Sequence, residues 1–141
     1  MMDQAEARRR FAAARVGRLA TVTVQGFPHL VPVVFALVDD VAYTAVDGKP
    51  KTTMVLRRLA NIVATGRASL LVDEYHEDWA GLWWVRFDGP AQVLAADSTE
   101  VGAAVDALTR KYPQYVSQPP TGPVIAIRLT QWRSWEATPG R

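Results

Sequence analysis

The sequence predicts a small, mainly β (α+β) protein in which six antiparallel strands form a barrel with flanking helices. Three observations lead to this fold class. Short runs rich in β-branched residues show a two-residue alternation along much of the chain. Short turn sequences, such as those at 25–28 and 39–40, join successive runs as in antiparallel hairpins. Helical patterns occur near the start, in the middle and after the fifth run, where helices can cover a barrel.

The predicted elements follow one another with little connecting chain. They are an N-terminal helix within 1–15, strands at 18–24, 29–38 and 41–46, a short helix at about 52–60, strands at 67–75 and 82–96, a helix at 97–112, a proline-rich loop at 112–123 and a closing strand at 124–137. Pro32 cannot donate to a strand ladder, so its position is predicted to be a sheet edge, a bulge or a place where something docks. Gly89-Pro90 predicts a bulge or bend in the fifth strand.

The composition is that of one soluble globular domain covering residues 1–141. Hydrophobic residues make up 49% and charged residues 21%, and the net charge of +2 is too small to indicate nucleic acid by itself. The absence of cysteine excludes disulfides, thiolate catalysis and cysteine-ligated metal centres. Residues 1–17 are charged and contain no continuous apolar run, so neither a secretory signal nor a membrane span is predicted. We therefore expect a cytoplasmic protein with no nucleic-acid or membrane partner.

The two histidines offer limited chemistry. His76 lies among carboxylates and could form a metal site with Asp73 and Asp78, but carboxylates in such a loop more often only meet solvent, so no metal is predicted. His29 is the better candidate for a functional histidine because it begins the strand that contains Pro32. A surface imidazole at a strand end is the alternative, and the sequence leaves both open.

The segment DGKPKTTMVLRRLANI, residues 47–62, places cations and hydroxyls where a strand gives way to a helix. Lys49 and Lys51 precede a helix whose N-cap is Thr52 or Thr53, and Arg57 follows one turn later on the same face. Free amides at a helix N-terminus together with ammonium and hydroxyl groups suit a phosphate. The segment therefore predicts a phosphate site, with an ordinary solvated loop as the alternative.

Five tryptophans in 141 residues are many, and two of them are adjacent in a predicted strand. Trp83 and Trp84 must point to opposite faces, so one of them meets a second interface, a planar ligand or solvent. A dimer interface and a stacked flavin-like ring are both compatible with this pattern.

The order of these motifs resembles the pyridoxamine 5′-phosphate oxidase-like split-barrel flavoproteins. The similarity covers roughly residues 8–137, and its most specific pieces are the runs KPKTTMVLRRLANI and DWAGLWWVR. More narrowly, the chain resembles the branch that uses the 5-deazaflavin coenzyme F-420. The resemblance implies a homodimeric, FMN-binding-type split β-barrel with two cofactor sites at the subunit interface.

The resemblance also implies the residues of the cofactor site. The backbone of Val31, Pro32 and Val33 would contact the flavin ring, and Trp84 would border the ring from the partner subunit. The cofactor phosphate would be held by the cationic segment, namely Lys49, Lys51 and Thr52, with Arg57 beside them. Arg57, Arg58 and Arg86 are spare cations for the polyglutamate tail of F-420.

Three functions follow as hypotheses. The first is an F-420-dependent oxidoreductase that transfers hydride between the reduced deazaflavin and a small unsaturated substrate. The second is an FMN-binding oxidoreductase of the same fold, and the third is a non-catalytic flavin- or haem-binding protein. The catalytic residues are unknown, because no side chain is an obvious proton donor or nucleophile. That absence fits chemistry performed by a cofactor, which the protein orients.

Overall fold

The computed structural model describes residues 2–46 and 53–137. The described helices are α1 (Gln4–Ala13), α2 (Thr53–Thr65), α3 (Thr99–Lys111) and α4 (Gln114–Ser117), with a 3₁₀ turn at Trp79–Gly81. The described strands are β1 (Gly17–Val22), β2 (Pro28–Val33), β3 (Ala36–Val38), β4 (Val41–Ala45), β5 (Arg67–Glu74), β6 (Trp83–Val93), β7 (Val124–Arg128) and β8 (Gln131–Glu136).

The strands form one curled antiparallel sheet, which confirms a mainly β fold with flanking helices. The order is β2-β1-β5-β6-β7-β4-β3, and β8 pairs with β6 beside this path. The described residues thus contain eight strands, and the predicted number of six was wrong. The predicted strands at 29–38 and 124–137 are each divided into two.

Tertiary hydrogen bonds cause both divisions. Between β2 and β3, the Phe35 N–H donates to the Tyr112 hydroxyl at 3.0 Å, so it is not available to a neighbouring strand. Between β7 and β8, the Leu129 N–H donates to the Asp40 carbonyl at 2.8 Å and the Thr130 N–H donates to the Asp88 carbonyl at 3.0 Å. These contacts join residues far apart in the sequence, and local patterns do not reveal them.

Strand β6 runs through Gly89-Pro90 and changes its partner there. Residues Trp83 to Asp88 pair with β8, whereas Ala91 to Val93 pair with β7. A Cβ atom on Gly89 would lie 1.7 Å from the Arg128 carbonyl oxygen, so only glycine allows the corner between β7 and β8 to pass this close. The predicted bulge or bend is therefore a point of partner exchange.

Helix α1 closes one part of the curled sheet with an aromatic side chain. Its N-cap is Asp3, whose carboxylate accepts from the Glu6 N–H at 2.8 Å. Phe11 is fully buried, with ring centroids 4.9 Å from Phe35 and 5.3 Å from Phe87. The core of the sheet is thus completed by a residue of the N-terminal helix.

The other helices depart in length from their predicted bounds. Helix α2 extends to Thr65, beyond the predicted end near residue 60, and α4 lies in the predicted proline-rich loop. Within residues 2–46 and 53–137, none of the helices has the length and apolar character needed to cross a bilayer.

Candidate functional site

Strand β2 ends the path of strands in the described sheet, so its outer edge pairs with no other described strand. Pro32 is opposite Arg18 on β1 and its ring is exposed, which confirms the predicted edge position. The side chains of Val31 and Val33 are buried in the core. These two residues can therefore offer only backbone groups at this edge, and their contact with a ligand stays a prediction.

A cationic cluster lies where α2 approaches the start of β2. It consists of His29 on β2 with Arg57 and Arg58 on α2, and the two guanidinium groups act electrostatically on the imidazole. Burial lowers the pKa of His29 below its usual range, and the charges of Arg57 and Arg58 lower it further. Burial also lowers the pKa of Arg58. The cluster therefore concentrates positive charge in a partly desolvated place.

Some buried polar atoms around this cluster form hydrogen bonds, and others do not. Asn61 on α2 donates from Nδ2 to Thr21 Oγ1 at 3.1 Å, and both of these residues are buried. His29 Nδ1 and Arg58 Nε are also buried, but neither has a hydrogen-bond partner among the described residues. A buried nitrogen atom without a hydrogen bond destabilises the folded state, so these two atoms could each donate a hydrogen bond to an acceptor that binds here.

Only one of the four residues predicted to bind the phosphate lies in the part of the chain that the structure describes. Lys49, Lys51 and Thr52 lie outside the described residues. Arg57 is exposed on the first turns of α2. The structure therefore brings Arg57 together with His29 and Arg58, and the roles of the two lysines and Thr52 stay predictions.

Trp84 lies on the outer face of the sheet, opposite the face occupied by Trp83. Trp83 packs against the core with the Arg10 guanidinium 5.3 Å from its ring centre, as the alternation along the strand predicts. Trp84 is half-buried and is paired in register with Trp135 of β8. The Arg86 guanidinium lies 5.9 Å from the Trp84 ring centre and also binds Asp88 at 2.9 Å. Arg86 is therefore already paired within the chain.

An open groove of about 810 Å³ crosses the same outer face. It is lined by ends of β1, β2, β5 and β6, including Ala20, Pro28, Ser69 and Gly89. It contains none of the described residues that were predicted to bind the cofactor.

The carboxylates around His76 have other partners. Asp73 lies 3.7 Å from the Arg18 guanidinium, and Asp78 accepts a hydrogen bond from the Ala80 N–H at 3.1 Å. His76 Nε2 lies 3.5 Å from a Glu74 oxygen. Over the described ranges, no three histidine or acidic side chains are grouped so that they could hold a metal ion.

Comparison with known proteins decides the family. The family model for pyridoxamine 5′-phosphate oxidase matches residues 3–136, which is nearly the whole chain. This chain belongs to the pyridoxamine 5′-phosphate oxidase family. Among curated proteins, none matches its sequence significantly.

Solved structures share the fold of this family member at low sequence identity. A conserved hypothetical protein from Mycobacterium tuberculosis is 21% identical, with a TM-score of 0.77 over 97% of this chain and 86% of that chain. An FAD-binding protein from Mesorhizobium loti is 24% identical, with a TM-score of 0.68 and coverage of 94% and 92%. The haem storage protein from Vibrio cholerae is 16% identical, with a TM-score of 0.72 and coverage of 96% and 95%. The fold thus occurs in proteins that bind different planar cofactors.

Sequence reasoning gave His29 no place in the cofactor site. Its position after a turn, at the start of the strand that contains Pro32, was the local signal, and that signal is also typical of an exposed imidazole. The informative facts are its buried Nδ1 atom and the charges of Arg57 and Arg58 that act on it, and these charges come from α2, which packs against β1. These facts become visible only in the folded chain.

Proposed function

We propose that this family member is a homodimeric oxidoreductase whose cofactor is a phosphate-bearing flavin-type molecule, with the deazaflavin F-420 preferred and FMN as the alternative. The observation that carries the proposal is the cationic cluster of His29, Arg57 and Arg58, which lies beside the open edge of β2. Its unpaired buried nitrogen atoms and its positive charge suit the phosphate of such a cofactor.

Each described residue then has a distinct role. The backbone at Val31, Pro32 and Val33 meets the polar edge of the ring. Arg57, together with Lys49, Lys51 and Thr52, holds the phosphate at the N-terminus of α2. In a twofold dimer, Trp84 on the outer face of one subunit borders the ring bound by the other and excludes water.

The chemistry follows from the cofactor type. When bound, a reduced deazaflavin supplies a hydride to a small unsaturated substrate, and a proton from water completes the addition. The chain contributes binding, orientation and exclusion of solvent. This division of labour is consistent with the absence of an obvious proton donor among the predicted site residues.

A haem or flavin storage protein is the second candidate, because a haem storage protein and FAD-binding proteins share this fold. Titration of the purified protein with F-420, FMN, riboflavin and haemin distinguishes the candidates by fluorescence and by absorbance. We expect tight binding of F-420 and weaker binding of FMN. Tight binding of haemin alone would overturn the proposal.

The phosphate contact is tested with Lys51→Ala. A charge-assisted hydrogen bond contributes about 1.5–3 kcal/mol, so we expect the affinity for FMN to fall roughly ten- to a hundred-fold. The affinity for riboflavin, which lacks the phosphate, should hardly change. Arg110→Ala removes an exposed cation from α3 and serves as the control. An equal loss of affinity for both ligands would contradict a phosphate contact at Lys51.

A further inference from the structure

A separate cavity opens where α1 and α3 meet β3, and it contains none of the described residues that were predicted to bind the cofactor. Its volume is about 350 Å³, which is enough for a small organic molecule. Its walls are mostly small and aliphatic, with one alanine each from α1, β3 and α3, namely Ala12, Ala36 and Ala107. Its charged lining residues are Arg110 and Lys111, both cationic. The cavity therefore combines an apolar interior with positive charge.

Lys111 contributes a buried amine that has no acceptor. Its Nζ atom lies 3.8 Å from the centre of the Phe35 ring and 5.2 Å from that of the Tyr112 ring. The two ring faces attract the cation, but they supply no oxygen atom to its N–H groups, and Nζ forms no hydrogen bond within the described ranges. The Tyr112 hydroxyl is engaged with the Phe35 backbone and the Arg15 carbonyl. An acceptor for Lys111 must therefore come from elsewhere.

A cation in this position is unfavourable for the fold alone. A buried ammonium group loses its hydration, and an unmade hydrogen bond leaves that cost uncompensated. Across residues 2–46 and 53–137, neither Lys111 nor Arg110 forms an ion pair with a carboxylate. Residues that break the rules of core packing in this way are expected at functional sites, where binding compensates for the lost stability.

We propose that this cavity binds a small molecule that has a carboxylate group and a short apolar body. The carboxylate accepts a hydrogen bond from Lys111 Nζ, and such charge-assisted bonds are among the strongest in proteins. The apolar body packs against the alanine side chains of the three elements. The site is independent of the proposed cofactor function, because it uses different residues on different elements.

Isovalerate is a suitable probe, because it joins a carboxylate to a branched four-carbon chain. In protein labelled with ¹⁵N at pH 7, we expect the Lys111 Nζ resonance to shift saturably as isovalerate is added. Isovaleramide has nearly the same shape without the charge and should bind at least about ten-fold more weakly. Acetate keeps the carboxylate but lacks most of the apolar body, so it should also bind at least about ten-fold more weakly.

Variants separate the charge from the space. Lys111→Met removes the ammonium group at similar side-chain length and should lower the affinity for isovalerate at least about ten-fold. Ala107→Leu fills the cavity while the ammonium group stays, and it should lower the affinity by a similar factor. Ala12→Leu, at a half-buried position of α1, fills the cavity from another side if Ala107→Leu does not fold. Arg9→Met removes an exposed cation of α1 that does not line the cavity, and it should leave the affinity unchanged.

A stability measurement gives a second readout. Isovalerate should raise the free energy of unfolding of the wild type in urea as the site fills, and it should have little effect on Lys111→Met. Near-UV circular dichroism checks that each variant keeps the native packing.

Several results would overturn the proposal. They are the absence of a saturable shift in the wild type, equal affinities for isovalerate and isovaleramide, and undiminished binding by Lys111→Met. Competition between isovalerate and a bound flavin would also overturn it, because the carboxylate would then occupy the cofactor site. If neither F-420 nor FMN binds, the proposed function fails, but the isovalerate titration still decides this inference.

Discussion

Lys111, the last residue of α3, carries a buried ammonium group. Its Nζ atom lies 3.8 Å from the centre of the Phe35 ring and has no hydrogen-bond partner among the described residues. Burial, and to a smaller extent the nearby Arg15 charge, lowers the pKa of Lys111 to about 8. The folded state therefore disfavours the charged form of this lysine.

This lowered pKa predicts a pH-dependent effect of Lys111→Met. Below about pH 8 Lys111 is protonated in both the folded and the unfolded chain, so the folded wild type carries the full cost of burying the charged ammonium group. In this range the variant should be more stable than the wild type by about 1–2 kcal/mol, allowing for partial exposure of Lys111 to solvent. Between the folded value of about 8 and the ordinary value of 10.5, only the unfolded chain holds the proton. Raising the pH through this window stabilises the wild type, so the advantage of the variant should shrink.

Urea denaturation at pH 7 and at pH 9.5 measures the difference. Arg110→Met, which changes the neighbouring exposed cation, should show little change in either condition. An advantage of Lys111→Met that stays constant with pH would contradict a lowered pKa as its cause.

The sequence predicted some individual residues of the site and missed others. The opposite orientation of Trp83 and Trp84 follows from the alternation of a strand, and the edge position of Pro32 follows from its missing donor. The ion pair between Arg86 and Asp88, at 2.9 Å, was missed. The two residues lie on the same face of the strand, but a long arginine side chain can reach several carboxylates, so the sequence does not select this one. Burial of His29 Nδ1 arises from the packing of the folded chain and has no local signal in the sequence.

At the level of elements, the hydrophobic patterns predicted the positions of the helices and strands but not the breaks within two strands. The apolar pattern continues from residue 29 to 38, while the backbone of Phe35 leaves the ladder to bind Tyr112. The Tyr112 hydroxyl accepts from the Phe35 N–H and lies within donating distance of two carbonyl oxygens, those of Phe35 at 2.9 Å and Arg15 at 3.0 Å. A contact across 77 residues ends the strand, and no pattern within the strand indicates it.

The exchange of partners along β6 predicts a strong effect of Gly89→Ala. The new Cβ would lie 1.7 Å from the Arg128 carbonyl oxygen, so the corner between β7 and β8 has to move. We expect the free energy of unfolding to fall by about 2–4 kcal/mol, as for overpacked or strained sites.

Gly102→Ala is the matched control for this prediction. Gly102 lies exposed within α3 and its added Cβ would meet nothing within 4 Å, so the same change should stabilise the protein by roughly 0.5–1 kcal/mol. Thermal and urea unfolding of the two variants gives the comparison. Equal effects at the two positions would show that close approach at Gly89 is not decisive.

For the whole molecule, the outer face of the sheet is the surface that we propose to be covered by a second copy of the chain. It combines apolar side chains with charges of both signs. The apolar members are Val22, Leu30, Leu71, Trp84 and Trp135, and the charged members are Arg18, Asp73, Arg86, Asp88 and Arg133. Such a mixed surface can be self-complementary around a twofold axis.

The proposed dimer is tested with Leu30→Asp. Leu30 is 66% exposed in the single chain, and a carboxylate there would be desolvated in a dimer. We expect light scattering at micromolar concentration to give twice the chain mass of 15.5 kDa for the wild type and a dissociation constant raised at least about ten-fold for the variant. Val116→Asp changes a residue of α4 that is 69% exposed and should leave the dimer intact. A wild-type monomer would rule out a cofactor site between subunits.

The pairing of β6 with both β7 and β8 also constrains the order in which the molecule can be assembled during synthesis. Strand β6 is complete at residue 93 and pairs with β5 along one edge, but the partners of its other edge are contributed only by residues 124–136. Trp132, whose ring centroid is 5.3 Å from that of Phe11, arrives with them. A nascent chain that ends before residue 124 therefore carries an unpaired strand edge and an incompletely covered Phe11. Ribosomes that pause in the α3–α4 region would prolong the interval in which that edge can pair with another chain. Aggregation during expression should therefore depend on the speed of translation through residues 99–123 more than on the stability of the finished fold.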